Sequence, residues 1–223
     1  MTDDFMTGGR IFAIGDIHGC YDRMRNLLDR LPYDPATDFL VFLGDYIDRG
    51  HQARQVIDLL CRLMAESDRV IALLGNHEHL LLEYHRTADQ ALVPFLRQMG
   101  IEDFLEEYGS PNLNGLRDLS FLPPAHRQFF HALRPYWETD RYFFAHAGFV
   151  PGEPLAGQRT EDFCETRDLF LADSSDYGKR VIFGHTPFEL PFVTPNKIGI
   201  DTGAAYGNLL TAVELPALKF YHA

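Results

Sequence analysis

Cysteine is scarce in this 223-residue chain: Cys20, Cys61 and Cys164 are far apart and odd in number. With no Cys-x-x-Cys pair, a zinc knuckle or a thioredoxin-type redox site is unsupported, and a reducing compartment is the expected setting. No apolar run approaches the ~20 residues that a membrane-spanning helix needs. The opening Met1-Thr2-Asp3-Asp4-Phe5 carries acids where a signal peptide would carry basic residues. A cytoplasmic protein is the expectation. Basic residues are few as well, 20 Lys+Arg against 32 Asp+Glu, for a formal charge of -12. Such a surface repels nucleic-acid backbones and anionic membranes, which are bound through basic side chains that displace counterions. Low-complexity linkers and repeats are missing, so residues 1–223 read as a single domain with a sizeable core.

What is present is a series of short β-branched or aromatic runs. They predict buried strands over 10–17, 38–43, 69–74, 141–146, 180–183 and 197–200, with a closing ribbon over 208–221. Helical patterns over 20–31 and 52–67 separate the first three. The second shows Val56, Leu59, Leu60, Leu63 and Met64 at helix spacing. That alternation predicts a mainly parallel sheet with right-handed crossovers. The later strands lack such helices, which predicts a second, mixed or antiparallel sheet in the C-terminal half. Between about 84 and 140 the pattern is helical and broken by Pro94, Pro111, Pro123, Pro124 and Pro135, with Gly100, Gly109 and Gly115. This segment reads as a helical insertion over one face of the site, its aromatic stretch 121–137 packing its own apolar side.

Nearly every predicted strand ends in Asp, His, Asn and Gly, where open α/β sheets bind ligands. Gly15-Asp16-Ile17-His18-Gly19 follows the first strand. A carboxylate and an imidazole two residues apart suit a borderline divalent metal, and extended backbone would aim both one way. A plain turn with Asp16 capping the next helix is the other reading. Gly44-Asp45-Tyr46-Ile47-Asp48-Arg49-Gly50 follows the second strand. Asp45 is placed to bridge two ions, and Arg49 offers a planar fork for phosphate oxygens. Asp48 is better placed to orient a histidine than to bind metal, and an Asp48–Arg49 surface pair is the bland alternative. Gly75-Asn76-His77-Glu78 supplies a neutral oxygen ligand in Asn76 and a general-acid candidate in His77, with Asp48 holding its ring. His79 reads as a residue of the helix that follows. His146-Ala147-Gly148 and Gly184-His185-Thr186 complete the set. A lone histidine after a strand is usually structural; two as further strand-end clusters shift that weighing. His51, His85, His126, His131 and His222 show no partner pattern.

This ordered series resembles the calcineurin-like metallophosphoesterases. It is similar within them to the phosphoprotein phosphatase branch, which includes serine/threonine phosphatases and symmetrical diadenosine tetraphosphatases. Ile200-Asp201-Thr202-Gly203 is also similar to the bacterial members. The resemblance implies a four-layer αββα fold, two mixed β-sheets packed as a sandwich flanked by helices. It implies two divalent ions, manganese foremost, with iron or zinc also accepted by such ligands. Asp16 and His18 would hold the first ion, Asp45 would bridge, and Asn76, His146 and His185 would hold the second. His77 with Asp48 would form the acid pair, and Arg49, Asn76 and His77 would contact the phosphate. A second phosphate-binding arginine is implied downstream of His146: Arg167 stands in about the right place without the usual preceding aromatic, and Arg159 is the fallback. A surface salt bridge is the bland reading of either. The implied activity is phosphate-ester hydrolysis with a metal-bound hydroxide. The substrate is a phosphoprotein on serine or threonine (and tyrosine), or alternatively a dinucleoside polyphosphate. A non-catalytic metal-binding scaffold stays open as a different class. A di-iron redox protein is not favoured, since no Glu-x-x-His pair stands out.

Overall fold

The computed structural model describes residues 9–110 and 112–223. The acidic N-terminal stretch and Pro111, both used above as sequence signals, lie outside the described residues.

The first half holds β1 (Ile11–Ile14), α1 (Tyr21–Leu28), β2 (Phe39–Phe42), α2 (Ala53–Glu66), β3 (Val70–Ala72) and α3 (Asn76–Thr87). Then come α4 (Val93–Met99), α5 (Ile101–Glu107), α6 (Pro124–Ala132), β4 (Tyr136–Glu138) and β5 (Tyr142–Ala145). The chain continues with α7 (Thr160–Glu165), α8 (Asp168–Ala172), β6 (Arg180–Phe183), β7 (Phe192–Val193) and β8 (Lys197–Gly199). It closes with β9 (Thr211–Leu215) and β10 (Lys219–His222). The strands form two five-stranded sheets, ordered β10-β9-β1-β2-β3 and β4-β5-β6-β8-β7.

Side-chain alternation along these strands explains the layering. Ile11, Ala13, Val41, Leu43 and Val213 from one sheet pack with Tyr142, Phe144, Ile182 and Ile198 from the other, so the inner faces make one core. The opposite set, Phe12, Ile14, Leu40 and Phe42, packs under the helices with Met24, Val56, Ile57 and Leu60. On the far side Phe143, Ala145, Val181 and Phe183 meet Phe163 and Phe170 of α7 and α8. Three apolar interfaces make four layers, helix, sheet, sheet, helix. The helices of the predicted insertion share the core between the first sheet and its helices: Leu96, Phe104, Phe129 and Phe130 lie in it with Val56 and Leu60. Glu107 ties α5 to α2, its carboxylate accepting from the α2 N-terminal amides of Ala53 at 3.0 Å and Arg54 at 2.7 Å. A negative charge there also faces the positive end of the helix dipole.

The structure differs from the sequence reading in three places. The closing ribbon does not extend the second sheet: β9 pairs antiparallel with β1, Ile11 opposite Leu215, and so edges the first. The stretch read as insertion ends in strand β4, antiparallel to β5 with Trp137 opposite Phe144. β7 is a two-residue edge strand too short to leave a period in the sequence. The two parallel trios are β1, β2, β3 and β5, β6, β8.

Candidate metal centre

Every parallel strand in both sheets delivers a polar side chain past its carboxyl end, and these meet at one edge of the sandwich. β1 leads to Asp16 and His18, β2 to Asp45, Asp48 and Arg49, β3 to Asn76 and His77, β5 to His146, β6 to His185 and β8 to Asp201. Asp16, His18, Asp45, Asp48, His77, His146 and Asp201 are all buried, against the normal preference of charged residues for water.

Asp45 sits between two donor sets. Its Oδ2 lies 3.2 Å from His18 Nε2 and 3.8 Å from His77 Nε2, while Oδ1 lies 3.4 Å from His146 Nε2. Asn76 Oδ1 is 3.0 Å from both His146 Nε2 and His185 Nδ1. Two groups therefore share Asp45: His18, Asp45 and His77, and Asp16, Asp45 and His146, each with ligand atoms within 4.8 Å of one another. What is corrected is the route, not the meeting at Asp45: the strand stops at Ile14 and His18 takes a left-handed φ of 44°, so a turn rather than extended backbone brings its Nε2 to Asp45 Oδ2, while Asp16 joins the other set that shares Asp45.

The donor chemistry fits divalent cations. His18 Nδ1 meets Ile47 O at 3.0 Å and His146 Nδ1 meets Leu43 O at 2.9 Å. A backbone carbonyl accepting from Nδ1–H fixes the tautomer and turns the Nε2 lone pair toward the site. Burial pushes the His146 imidazole down, and burial with the neighbouring His146 pushes His185 down to about 3. Neutral imidazole is the ligating form. Burial would raise Asp45, but the surrounding His146, His77 and His18 hold its carboxyl well below the usual range. Burial and the charges of Asp201 and Asp45 drive Asp16 well above it. Crowded carboxylates of that kind are relieved by positive charge.

Glycine is required where main chain crowds these oxygens. A Cβ on Gly75 would lie 2.2 Å from Asp45 N and Oδ1, and one on Gly184 would lie 2.1 Å from Asp16 Oδ1. Elsewhere the backbone is strained instead. His18, Asp45, Asp48, Arg49 and His185 all take positive φ, and among the other described non-glycine residues only Ala88, Leu119 and Leu218 do so. Such outliers gather where a site over-determines its geometry.

His77 and Asp48 form a buried pair, Nδ1 to Oδ2 at 2.6 Å. Among the described residues His77 Nε2 has no hydrogen-bond partner, and it faces Asp45 Oδ2 at 3.8 Å. Arg49 is exposed and contacts Tyr206. Arg167, immediately before α8, brings Nη2 within 3.3 Å of His185 Nε2. Arg159 is instead engaged by Glu161 at 2.5 Å and Asp162 at 3.1 Å.

Sequence reasoning assigned no role to three residues here. Asp201 follows the sixth parallel strand, and the strand-end pattern could have flagged it. Tyr206 left no signal. Glu78, fully buried, accepts from the amides of Asp45 (3.0 Å), Tyr46 (2.8 Å), Ile47 (3.2 Å) and Gly75 (3.2 Å). One carboxylate thus ties the Asp45 loop to the start of α3. Glu78→Ala would leave those donors buried and unpaired, at about 1 kcal/mol or more each. A Tm fall of roughly 8–16 °C is expected, taking about 2–4 °C per kcal/mol for a chain of this size. A melt within about 2 °C of wild type would mean that the amides find other partners.

Of the histidines set aside, His126 is buried between Tyr108 Oη at 2.7 Å and Asp58 at 2.8 Å. No helix of the described residues is long and apolar enough to cross a membrane.

Residues 9–209 match the family described as calcineurin-like phosphoesterase. A bis(5'-nucleosyl)-tetraphosphatase PrpE [asymmetrical] of Halalkalibacterium halodurans is 27% identical over 93% of this chain and 90% of its own. One of the same name from Geobacillus thermodenitrificans is 29% identical, covering 93% and 91%. Among solved structures, a candidate diadenosine tetraphosphatase superposes with a TM-score of 0.73 at 21% identity, covering 100% of this chain and 95% of that one. A serine/threonine phosphatase from Saccharomyces cerevisiae gives 0.64 at 14%, covering 100% and 82%. At such identities the two structures establish the shared fold.

Proposed function

This chain belongs to the calcineurin-like phosphoesterase family, and from that membership we propose that it hydrolyses dinucleoside polyphosphates at a centre for two divalent cations. It is a metal-dependent phosphoesterase. The observation that carries the centre is Asp45, whose two carboxylate oxygens face separate donor sets. The substrate follows the relatives named as tetraphosphatases, which align over nine-tenths of both chains. Their names specify asymmetrical cleavage, whereas the sequence resemblance had suggested the symmetrical kind and had put a phosphoprotein first.

In this reading Asp16 and His18 would hold one cation, Asn76, His146 and His185 the other, and Asp45 would serve both. When bound, such a pair supplies Lewis acidity, making water nucleophilic at neutral pH and neutralising phosphate charge. The chain's own residues do the rest. Arg49, and Arg167 at the His185 edge, bind phosphate oxygens, with Asn76 and His77 beside them. His77 donates a proton from Nε2 to the leaving oxygen, while Asp48 holds Nδ1 and favours the imidazolium.

Manganese is the first metal to test, with iron and zinc alongside. The decisive assay compares kcat/KM for diadenosine tetraphosphate and a phosphoserine peptide on metal-loaded protein, with the nucleotide products resolved. Faster turnover of the tetraphosphate, yielding nucleoside triphosphate plus monophosphate and abolished by a chelator, is expected. Preferential peptide turnover would overturn the substrate, and chelator-resistant activity would overturn the metal centre.

A further inference from the structure

Past β8 the chain leaves the carboxylate cluster in a short loop that ends on an exposed ring. Asp201 Oδ1 accepts from Gly203 N at 2.9 Å, and Gly203 and Gly207 turn the backbone with φ of 74° and 90°. Tyr206, between them, is 63% exposed. The loop is anchored on both sides of that ring. Thr202 Oγ1 donates to Leu209 O at 2.6 Å, and Asn208 Nδ2 donates to Glu189 O at 3.1 Å. On this fixed turn the ring meets Arg49. Its Nη1 donates to the Tyr206 hydroxyl, and its Cζ lies 5.1 Å from the ring centroid.

The choice of partner matters chemically. Among the described residues Arg49 makes no ion pair with a carboxylate within 4.0 Å. An acidic partner would hold the guanidinium too, but it would cancel the charge and compete with an incoming phosphate. A phenol and a ring face restrain the same group and leave its charge intact. The guanidinium is thereby partly ordered before substrate arrives, which lowers the entropic cost of binding.

We propose that Tyr206 is a positioning residue for Arg49, holding its guanidinium at the mouth of the metal site in a phosphate-receptive state. The proposal rests on Arg49 being a phosphate ligand, as in the function proposed above. It is tested on the metal-loaded full chain with Tyr206→Phe, Tyr206→Ala, Arg49→Ala and the double alanine variant. Calorimetric titration with inorganic phosphate gives affinity, and steady-state hydrolysis of an aryl phosphate gives KM and kcat separately.

Tyr206→Ala is expected to weaken phosphate binding and raise KM about tenfold, with kcat changed less than about threefold. Tyr206→Phe keeps the ring and should lose only about threefold. In the Arg49→Ala background the second substitution should change nothing further, since the group being positioned is gone. Unchanged phosphate affinity in Tyr206→Ala would overturn the proposal. So would a tenfold loss repeated in full without Arg49, because Tyr206 would then act alone. Wild-type protein that neither binds phosphate nor turns over would instead overturn the reading of the site itself.

Discussion

Asp45→Asn is expected to abolish turnover and to leave the protein unable to hold a pair of metal ions. The substitution keeps the shape of the side chain and removes one ligand oxygen. In the native residue Oδ2 faces His18 at 3.2 Å and Oδ1 faces His146 at 3.4 Å, so both oxygens are committed. An amide can offer oxygen to one side only and must point N–H₂ at the other, where it repels a cation. Metals in such sites stabilise the transition-state charge by several kcal/mol, and ~1.4 kcal/mol is a factor of ten in rate. A fall of at least about 10³-fold in kcat/KM follows. Folding should persist, because the Asp45 main chain remains tied to Glu78 and the replacement is isosteric. Metal analysis after gel filtration, alongside the rate, decides the matter. A variant that retains two ions and near-native activity would remove Asp45 from the bridging position.

His77→Gln is expected to reduce kcat by ~10²–10⁴-fold on a poor leaving group, the usual range for a general acid, and far less on an activated aryl phosphate. Bound metal should stay close to native. The physical case lies in the two ring nitrogens: Nδ1 is committed to Asp48 at 2.6 Å, and Nε2 is buried without a hydrogen-bond partner among the described residues. Burial pushes this imidazole down to about 4, so it carries its second proton near neutrality only if a negative charge offsets burial. Asp45 is the nearby charge that raises it most, and Asp48, with Oδ2 2.6 Å from Nδ1, adds to this in its ionised form, against the burial that pushes its own carboxyl up. A general acid works below its pKa and fails as pH rises through it. Asp48→Asn, by removing a charge that favours the imidazolium, should therefore start the alkaline fall of kcat at lower pH, and His77→Gln should abolish that limb. Equal losses on both leaving groups would count against proton donation by His77.

Much of this arrangement could be read before folding was considered. A buried parallel strand ends abruptly and exposes its next residues at one edge of a sheet, so polar clusters after successive apolar runs point to one place. That logic located Asp16, Asp45, Asn76, His146 and His185, and the alternation of strand and helix predicted the first sheet. It failed where the signal is not periodic. The ribbon over 208–221 was legible as strand, but pairing with β1 across almost the whole chain is a tertiary choice that local pattern does not encode. β4 lies among aromatics that suit a helix face equally well. Glu78 and Tyr206 escaped for a related reason: one acts through amides of a distant loop, the other through a side chain 157 positions away. Contacts of that reach leave no trace in spacing.

The left-handed backbone at His18, Asp45, Asp48, Arg49 and His185 carries a cost of roughly 1 kcal/mol for each side chain held there. Glycine at any of the five would relax the chain and remove the group that the conformation exists to aim. Evolution toward heat resistance alone would therefore erode these positions first, and a thermostabilised descendant of this protein should be screened for function before it is trusted.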